Sequence, residues 1–265
     1  MKKLLGIAVG ILSAIGLYAE DIGGLDWSLE TSVSFQTERV FRGRNEFHKV
    51  LTPKVQAGCP VGDGCNAYVG IDTAIAIDGL TAFNQVTPYL GVLWDVAEIC
   101  TLDGGYRHHF YPSIPNIQGM EEIKHSSSEI YGGVVVDVIG EPSLYVFYDF
   151  DRQELAVEGR LFYNVDLSQY AFSGLGIDLG AKVGFDRANK PFGDTYQESF
   201  GKKNYGYYGV SADLVYELNS NARAKVGFAY EGNSGEKKSW VNTLSDVVPG
   251  HKNSLWVNAS IDCSF

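Results

Sequence analysis

The sequence has few positive charges and, beyond its first residues, no long apolar run. It carries 21 lysine and arginine residues against 32 aspartate and glutamate residues, and its formal net charge is −11. Because nucleic-acid-binding domains usually present a basic surface, this balance argues against nucleic acid as a partner. After residue 20 there is no apolar stretch of about 18 residues, so the sequence predicts no transmembrane helix there.

The first residues have the composition of an export signal. Two lysines precede an uncharged apolar run from Leu4 to Leu17, and the small residue Ala19 follows. This order is typical of a secretory signal peptide that is removed from the mature protein. We therefore predict a signal peptide over residues 1–19 and an exported β-barrel over residues 20–265.

Cysteine is scarce, with four residues in the whole chain. Cys59 and Cys65 flank a short segment that contains two glycines and a proline, and in an oxidising periplasm this pattern predicts a local disulfide. Cys100 and Cys263 lie on separate predicted strands, where we expect free thiols that face lipid or an interface. A metal site at Cys59 and Cys65 would need further ligands, and no histidine lies near, so we predict neither a metal nor a cofactor.

Apolar and polar residues alternate along most of the chain, and this period of two is typical of β-strands. We predict an all-β fold, namely a transmembrane antiparallel up-and-down β-barrel of about twelve strands, with ten or fourteen as alternatives. Bacterial single-chain barrels have an even number of strands. The predicted strands are 27–42, 47–57, 66–77, 86–96, 99–110, 127–138, 143–150, 153–165, 174–186, 205–218, 222–230 and 253–265.

The connections between these strands support the same topology. If the first strand begins in the periplasm, the three long connections 111–126, 187–204 and 231–252 all fall on the outer side. The periplasmic connections are then short and rich in turn residues. Long outer loops and short periplasmic turns are characteristic of outer-membrane barrels, so we predict the bacterial outer membrane as the location.

The final strand carries the strongest single pattern. Leu255, Val257, Ala259 and Ile261 alternate with polar residues, and the sequence ends at the aromatic Phe265. This pattern resembles the C-terminal assembly signal of bacterial outer-membrane barrels. The resemblance implies Phe265 as part of that signal, with the barrel assembly machinery and outer-membrane lipid as partners.

One segment of the first strand resembles a known family. Val40-Phe41-Arg42-Gly43 is similar to the opening motif of the TorF-type porins. This resemblance covers the motif and the general layout of the chain, and it implies an outer-membrane channel without naming a solute. Another twelve-stranded barrel, such as an oligosaccharide or nucleoside channel, is the alternative.

Enzymatic chemistry finds little support in the sequence. An outer-membrane phospholipase would need a serine and a histidine on the lipid-facing side of a strand, and His125 with Ser127 is the one candidate pair. Both share the parity of Glu129 and Tyr131, which we expect to face the lumen. No third residue at a suitable spacing would orient the histidine, so we predict that the protein is not an enzyme.

The face opposite the apolar one carries charges of both signs, with carboxylates in excess. Twelve strands enclose more space than the eight that side chains just fill. The charges could pair and plug this lumen, or they could line a water-filled pore, and we favour a narrow channel. The predicted pore-lining residues are Arg42, Asp72, Asp149, Asp151, Glu154, Glu158, Arg160, Asp178, Lys182 and Arg223.

These charges lead to a functional hypothesis with an open alternative. Asp149, Asp151 and Glu154 form a dense acidic run that we expect at the outer mouth, where it would attract cations. The sequence thus predicts passive diffusion of small hydrophilic solutes with a preference for cations. The alternative is a closed barrel that serves as an adhesin or scaffold through its long loops. The sequence does not specify the solute or the oligomeric state.

Overall fold

The computed structural model describes residues 27–42, 44–77, 84–111, 126–188, 204–234, 241–242, 246–247 and 253–265. The predicted signal peptide and nearly all of the three predicted outer loops lie outside these residues. The strands are β1 (Ser28–Phe41), β2 (Arg44–Gly62), β3 (Cys65–Ala76), β4 (Gln85–Ala97), β5 (Cys100–Phe110), β6 (Ser126–Val136), β7 (Ser143–Asp149), β8 (Glu154–Asp166), β9 (Leu175–Ala188), β10 (Asn204–Asn219), β11 (Ala222–Asn233), β12 (Val241–Asn242), β13 (Asp246–Val247) and β14 (Asn253–Ser264).

Twelve of these strands form a closed antiparallel barrel, as the sequence predicts. Each strand pairs with its neighbours along the chain, and β14 closes the ring by pairing with both β11 and β1. The short strands β12 and β13 pair only with each other. Among the residues that the structure describes, no helix is long and apolar enough to cross a membrane.

The first and last strands form the seam of the barrel. Seven residue pairs join β1 to β14, from Glu30 opposite Ser264 to Gln36 opposite Asn258. At the end of the seam, Phe265 and Leu29 exchange two backbone hydrogen bonds of 2.9 Å. The terminal aromatic residue therefore takes part in closing the ring. Its predicted role as an assembly signal stays a prediction.

The outer surface of the barrel is apolar. Large apolar side chains at alternate positions of every barrel strand point outward, among them Leu90, Val183 and Leu255, the last with 67% of its surface exposed. So many exposed apolar side chains around a closed ring indicate a surface that contacts lipid rather than water. Polar side chains would find no hydrogen-bonding partners in lipid, so they face the lumen instead. Period-two alternation thus divides the chain into a lipid face and a lumen face.

The two ends of the barrel differ in the connections they carry. At one end, which we call the turn end, every described connection is short: residues 63–64, 98–99, 137–142, 167–174 and 220–221. At the other end, the outer end, lie the tight turns at Arg42 and at residues 150–153 and the strand ends beyond which the chain leaves the described residues, at Ala76, Phe110, Ala188 and Asn233. This asymmetry agrees with the predicted topology.

The four cysteines all lie near the turn end, and all four carry free thiols in the structure. The predicted disulfide is therefore not formed there. Cys59 lies opposite Ala67 and Cys65 lies opposite Gly62, so the two cysteines are diagonal rather than direct neighbours. Diagonal positions are about 7 to 8 Å apart, whereas a disulfide usually needs Cα atoms within about 7 Å.

The disulfide stays a prediction for protein isolated from cells without reductant. The two thiols share the lipid-facing parity of adjacent strands beside the turn at residues 63–64. Peptide mass mapping should find Cys59 linked to Cys65, with a stabilisation of at most about 2 to 3 kcal/mol because the closed loop is short. A Cys100→Ser variant serves as the control and should leave the link intact. Complete alkylation of both thiols in non-reduced protein would contradict the bridge.

Candidate functional site

The lumen contains nearly all of the charged side chains of the barrel strands, and its chemistry is arranged in three parts. A cluster of buried charges lies near the outer end and is centred on Arg42. A row of tyrosines lines the wall formed by β3 to β7. A polar cavity opens near the turn end. We call these parts the arginine cluster, the tyrosine wall and the inner cavity.

The arginine cluster begins at the tip of the hairpin between β1 and β2. Arg42 follows the last residue of β1, and its guanidinium extends across the lumen to the opposite wall. Its Nη2 atom donates to Glu129 of β6 at 2.6 Å, and its Nη1 atom donates to Glu154 of β8 at 2.9 Å. Between those two strands lies β7, which is six strands from β1 in either direction around the ring. A single side chain therefore joins opposite walls of the barrel.

The groups around Arg42 are almost completely buried. Glu129 and Glu154 are each 1% exposed, and Arg42 itself is 5% exposed. The guanidinium also lies 4.7 Å from the ring centres of Phe41 and Phe147, a distance that permits cation–π attraction. Breaking such a buried pair by removing one partner typically costs about 3 to 5 kcal/mol, because an uncompensated charge remains.

Two more arginines complete the cluster. Arg107 forms an ion pair with Glu129, with 2.6 Å between its Nε atom and a carboxylate oxygen. Arg152 lies 3.7 Å from Glu154, and its Nη2 atom donates to the hydroxyl of Tyr111 at 3.1 Å. Arginine suits these positions because its planar fork can hold two oxygens at once and it keeps its charge when buried. The cluster is a network of alternating charges rather than a set of isolated pairs.

The acidic run between β7 and β8 lies beside this network. Asp149 is 2% exposed, and one of its oxygens accepts hydrogen bonds from the backbone amides of Asp151 and Arg152, both at 2.9 Å. Asp151 accepts a hydrogen bond from the amide of Ser128 at 3.0 Å. Asp149, Asp151 and Glu154 thus fix a turn and a charge network instead of standing free at the mouth.

The remaining predicted pore-lining residues are paired along the wall. Arg160 contacts Glu158 at 2.6 Å, and Asp178 accepts from Lys225 at 2.8 Å. The other pairs join Lys182 to Glu231 at 2.8 Å, Arg223 to Asp262 at 3.5 Å and Arg39 to Asp72 at 3.8 Å. All ten predicted residues therefore lie on the lumen side of the barrel or at its outer end. Most of the basic residues among them form ion pairs with carboxylates of other strands.

The tyrosine wall was not predicted from the sequence. Tyr68 and Tyr145 donate to the two oxygens of Asp103, at 2.6 and 3.0 Å, and the hydroxyl of Tyr68 also contacts that of Tyr131. Tyr89 donates to Gln56 at 3.0 Å. Two tyrosine hydroxyl groups therefore bind the Asp103 carboxylate directly, and the hydroxyl of Tyr131 contacts one of those two. The position of Asp103 in the alternating pattern indicates that it faces the lumen. The sequence does not indicate which tyrosines contact it.

Glycines on the neighbouring strands make room for these rings. A Cβ atom at Gly91 would collide with the ring of Tyr68, and one at Gly70 would collide with the ring of Tyr89. Tyr145 lies in the same way over Gly133. The rings therefore lie flat against the wall, so their hydroxyl groups meet one another across strands rather than projecting into the lumen.

The inner cavity has a volume of about 520 Å³ and a polar lining. Glu30 and Lys54 line it from β1 and β2, and Glu217, Arg223 and Asp262 line it from the other side of the seam. Among the residues that the structure describes, Glu30 accepts a single long hydrogen bond of 3.5 Å, from Gln56. Glu30 and Glu217 are exposed, so the field of their carboxylates can act on mobile ions.

The structure also locates the residues considered for catalysis. Ser127 lies opposite His109 on the lumen side, both are buried, and His125 lies outside the described residues. Nδ1 of His109 contacts Gln85 at 2.8 Å and Thr87 at 3.1 Å, so no carboxylate orients this ring through Nδ1. Within the described part of the chain, no group of three histidine, cysteine or acidic residues is placed to hold a metal ion.

Comparison with known proteins places this barrel among solved structures but not in a family. No protein-family model and no curated protein sequence matches the chain. An outer-membrane channel from Pseudomonas putida F1 aligns with a TM-score of 0.51 at 9% identity, over 92% of this chain and 99% of that one. The KdgM porin aligns with a TM-score of 0.48 at 10% identity, over 90% and 99%. The NanC porin aligns with a TM-score of 0.49 at 10% identity, over 89% and 98%.

These likenesses concern the fold. The chain has the twelve-stranded architecture of bacterial outer-membrane barrels, and its apolar exterior is the lipid-facing surface that such a barrel requires. The resemblance to TorF-type porins at residues 40–43 finds no support from a family model and stays a resemblance.

The fit between tyrosines and glycines can be tested by adding one methyl group. Gly91→Ala should displace the ring of Tyr68 and weaken its hydrogen bond to Asp103, because the new Cβ also meets the backbone oxygen of Gly104 at 2.8 Å. Such overpacking typically lowers the free energy of unfolding by roughly 1 to 3 kcal/mol. Urea titration of the barrel in lipid vesicles measures the effect.

Gly132→Ala is the matched control for this change. Gly132 also lies on a strand of the barrel, but a Cβ atom added there would have as its nearest neighbour a backbone oxygen 4.0 Å away. The control should retain the stability of the wild type. Equal stability of both variants would show that the tyrosine ring does not depend on the glycine beneath it.

Proposed function

We propose that the protein is a bacterial outer-membrane channel for the passive diffusion of small hydrophilic solutes. One observation carries the proposal: a polar cavity of about 520 Å³ lies inside a closed barrel whose exterior is apolar. A barrel of twelve strands has room for water beyond its own side chains. A solved outer-membrane channel with the same fold supports this function.

The charges of the lumen support a preference for cations. Ion pairing accounts for most of the basic side chains, whereas Glu30, Asp103 and Glu217 have no cationic partner among the residues that the structure describes. Pairing removes equal numbers of both signs, so the surplus of carboxylates remains. Rings of acidic side chains favour cations in channels because they raise the local cation concentration.

A closed barrel that acts as an adhesin or scaffold is the second candidate. The arginine cluster favours it, because Arg42 joins opposite walls and its carboxylate partners are each 1% exposed. A lumen blocked at this level would leave the outer connections as the functional surface. The two candidates differ in one measurable property, the passage of ions.

Single-channel recording of the refolded protein in a planar lipid bilayer tests the channel. Discrete conductance steps are expected, because the inner cavity and the polar wall provide a path for hydrated ions. Circular dichroism of the same preparation confirms that the barrel is folded. A sealed bilayer containing folded barrel would overturn the channel and favour the scaffold.

The cation preference is tested by the reversal potential under a KCl gradient, which should favour K⁺ over Cl⁻. The double variant Glu30→Gln and Glu217→Gln should move the reversal potential towards zero, because it removes two carboxylates of the inner cavity. The shift should be larger at low salt, where the screening length is longer.

Glu98→Gln is the control for this experiment. Glu98 is exposed in the turn between β4 and β5, at the same end of the barrel but outside the cavity lining. Its loss should leave the reversal potential unchanged. A wild-type channel that prefers Cl⁻ would refute the selectivity while leaving the channel itself in place.

A further inference from the structure

Arg42 occupies a backbone position that does not suit an arginine. The turn between β1 and β2 has two central residues, since Phe41 pairs with Arg44, and Arg42 is the first of them with a φ of 49°. Two-residue hairpin turns with a positive φ at this position favour glycine, asparagine or aspartate. A residue with a long side chain held in this region costs energy and persists only where other contacts compensate.

The charged partners of Arg42 both lie on the far side of the lumen. The pairing of β1 with β2 shifts register between Arg39 and Val40, and bulges of this kind bend a strand and change the direction of its side chains. Beyond this shift, Arg42 reaches Glu129 and Glu154 rather than a carboxylate of its own wall. The strained turn and the bulge together direct the side chain of Arg42 to the opposite wall of the barrel.

The partners of Arg42 in turn depend on it. Glu129 and Glu154 are buried, and Arg42 is the cation that they share. Arg107 also pairs with Glu129 and Arg152 with Glu154, so removal of Arg42 breaks the link between two buried ion pairs and leaves each carboxylate with one cation fewer. The rings of Phe41 and Phe147 each lie 4.7 Å from the guanidinium, and Arg42 is 5% exposed, so little water reaches its charge. Loss of the cation would therefore admit water and release the tip of the hairpin.

We propose that the hairpin of β1 and β2 is the constriction of this channel, and that Arg42 sets the width of the open path. The inference rests on the proposed channel function and adds its size-determining residue. Ions and small solutes pass beside the cluster, whereas larger solutes are excluded while Arg42 holds the hairpin against β6 and β8. The narrowing element is the two-residue turn between β1 and β2.

The contacts of Arg42 with Glu129 and Glu154 form what we call the clamp. Two changes release it, one from each side of the lumen. Arg42→Ala removes the cation, and the double variant Glu129→Gln with Glu154→Gln removes its partners while keeping the arginine. Both should raise single-channel conductance several-fold, and both should let vesicles containing the protein swell in larger neutral sugars than the wild type admits. Urea titration and heat-modifiable migration in gels confirm that each barrel is folded.

Arg187→Ala is the matched control. Arg187 lies on β9 next to Asp186 and is exposed on the lipid-facing parity of that strand, so its loss removes an arginine without touching the clamp. The control should conduct as the wild type does. If Arg42→Ala does not fold, the glutamine double variant carries the test alone.

The outcomes separate this proposal from the proposed function. A wild-type channel whose conductance and sugar cut-off are unchanged in both clamp variants would overturn the constriction and leave the channel standing. A sealed wild type that conducts only when the clamp is released would support the hairpin as the blocking element and overturn a channel that is open at rest. Sealed bilayers for all folded variants would overturn both.

Discussion

Closure of the hydrogen-bonded ring is the constraint on which the rest of this structure depends. In lipid an unpaired backbone group has no water to bind, so each strand needs a partner on both sides. Eleven of the pairings join strands that follow one another or nearly so, but the seam between β1 and β14 joins the two ends of the barrel. The two backbone bonds between Leu29 and Phe265 complete it. Once the ring is closed, one face of every strand must be apolar, and all polar chemistry is confined to the lumen.

That confinement explains why the charges are organised in networks. A carboxylate on the lumen wall lies between a lipid-embedded sheet and a narrow interior, so it is stabilised by a cation from a nearby part of the wall or by hydroxyl groups. Asp178 takes the first solution, with Lys225, and Asp103 takes the second, with two tyrosines. Arg42 is the exception in this arrangement, because its partners lie across the barrel. Its network therefore joins two walls that lie on opposite sides of the ring of strands.

The sequence predicted the barrel well and the site only in part, for a physical reason. Side-chain alternation has a period of two in any strand, so it reports the lumen face of Asp178 and Lys182 directly, and the strand ends follow from turn residues. Alternation says nothing about distance across the lumen or about a bulge. For that reason the sequence indicates a lumen-facing strand position near Arg42 but does not indicate its partners Glu129 and Glu154. Asp149 was expected at the mouth because a charge in a turn looks exposed in sequence, whereas its oxygen binds the amides of that same turn.

The disulfide prediction considered spacing along the chain, but strand register placed Cys59 and Cys65 on a diagonal.

The pairing of each tyrosine with a glycine on an adjacent strand also has a consequence for how the chain reaches its fold. Tyr68 with Gly91, Tyr131 with Gly105 and Tyr207 with Gly184 each lie within one hairpin, so each pair forms between segments that are close in sequence. A slip of one residue would turn the ring towards lipid and leave the glycine uncovered. Each of these three hairpins thus contains a contact that favours its correct register and does not require the closed ring. Correct alignment can then be established hairpin by hairpin, and only the final seam depends on an encounter between distant parts of the chain.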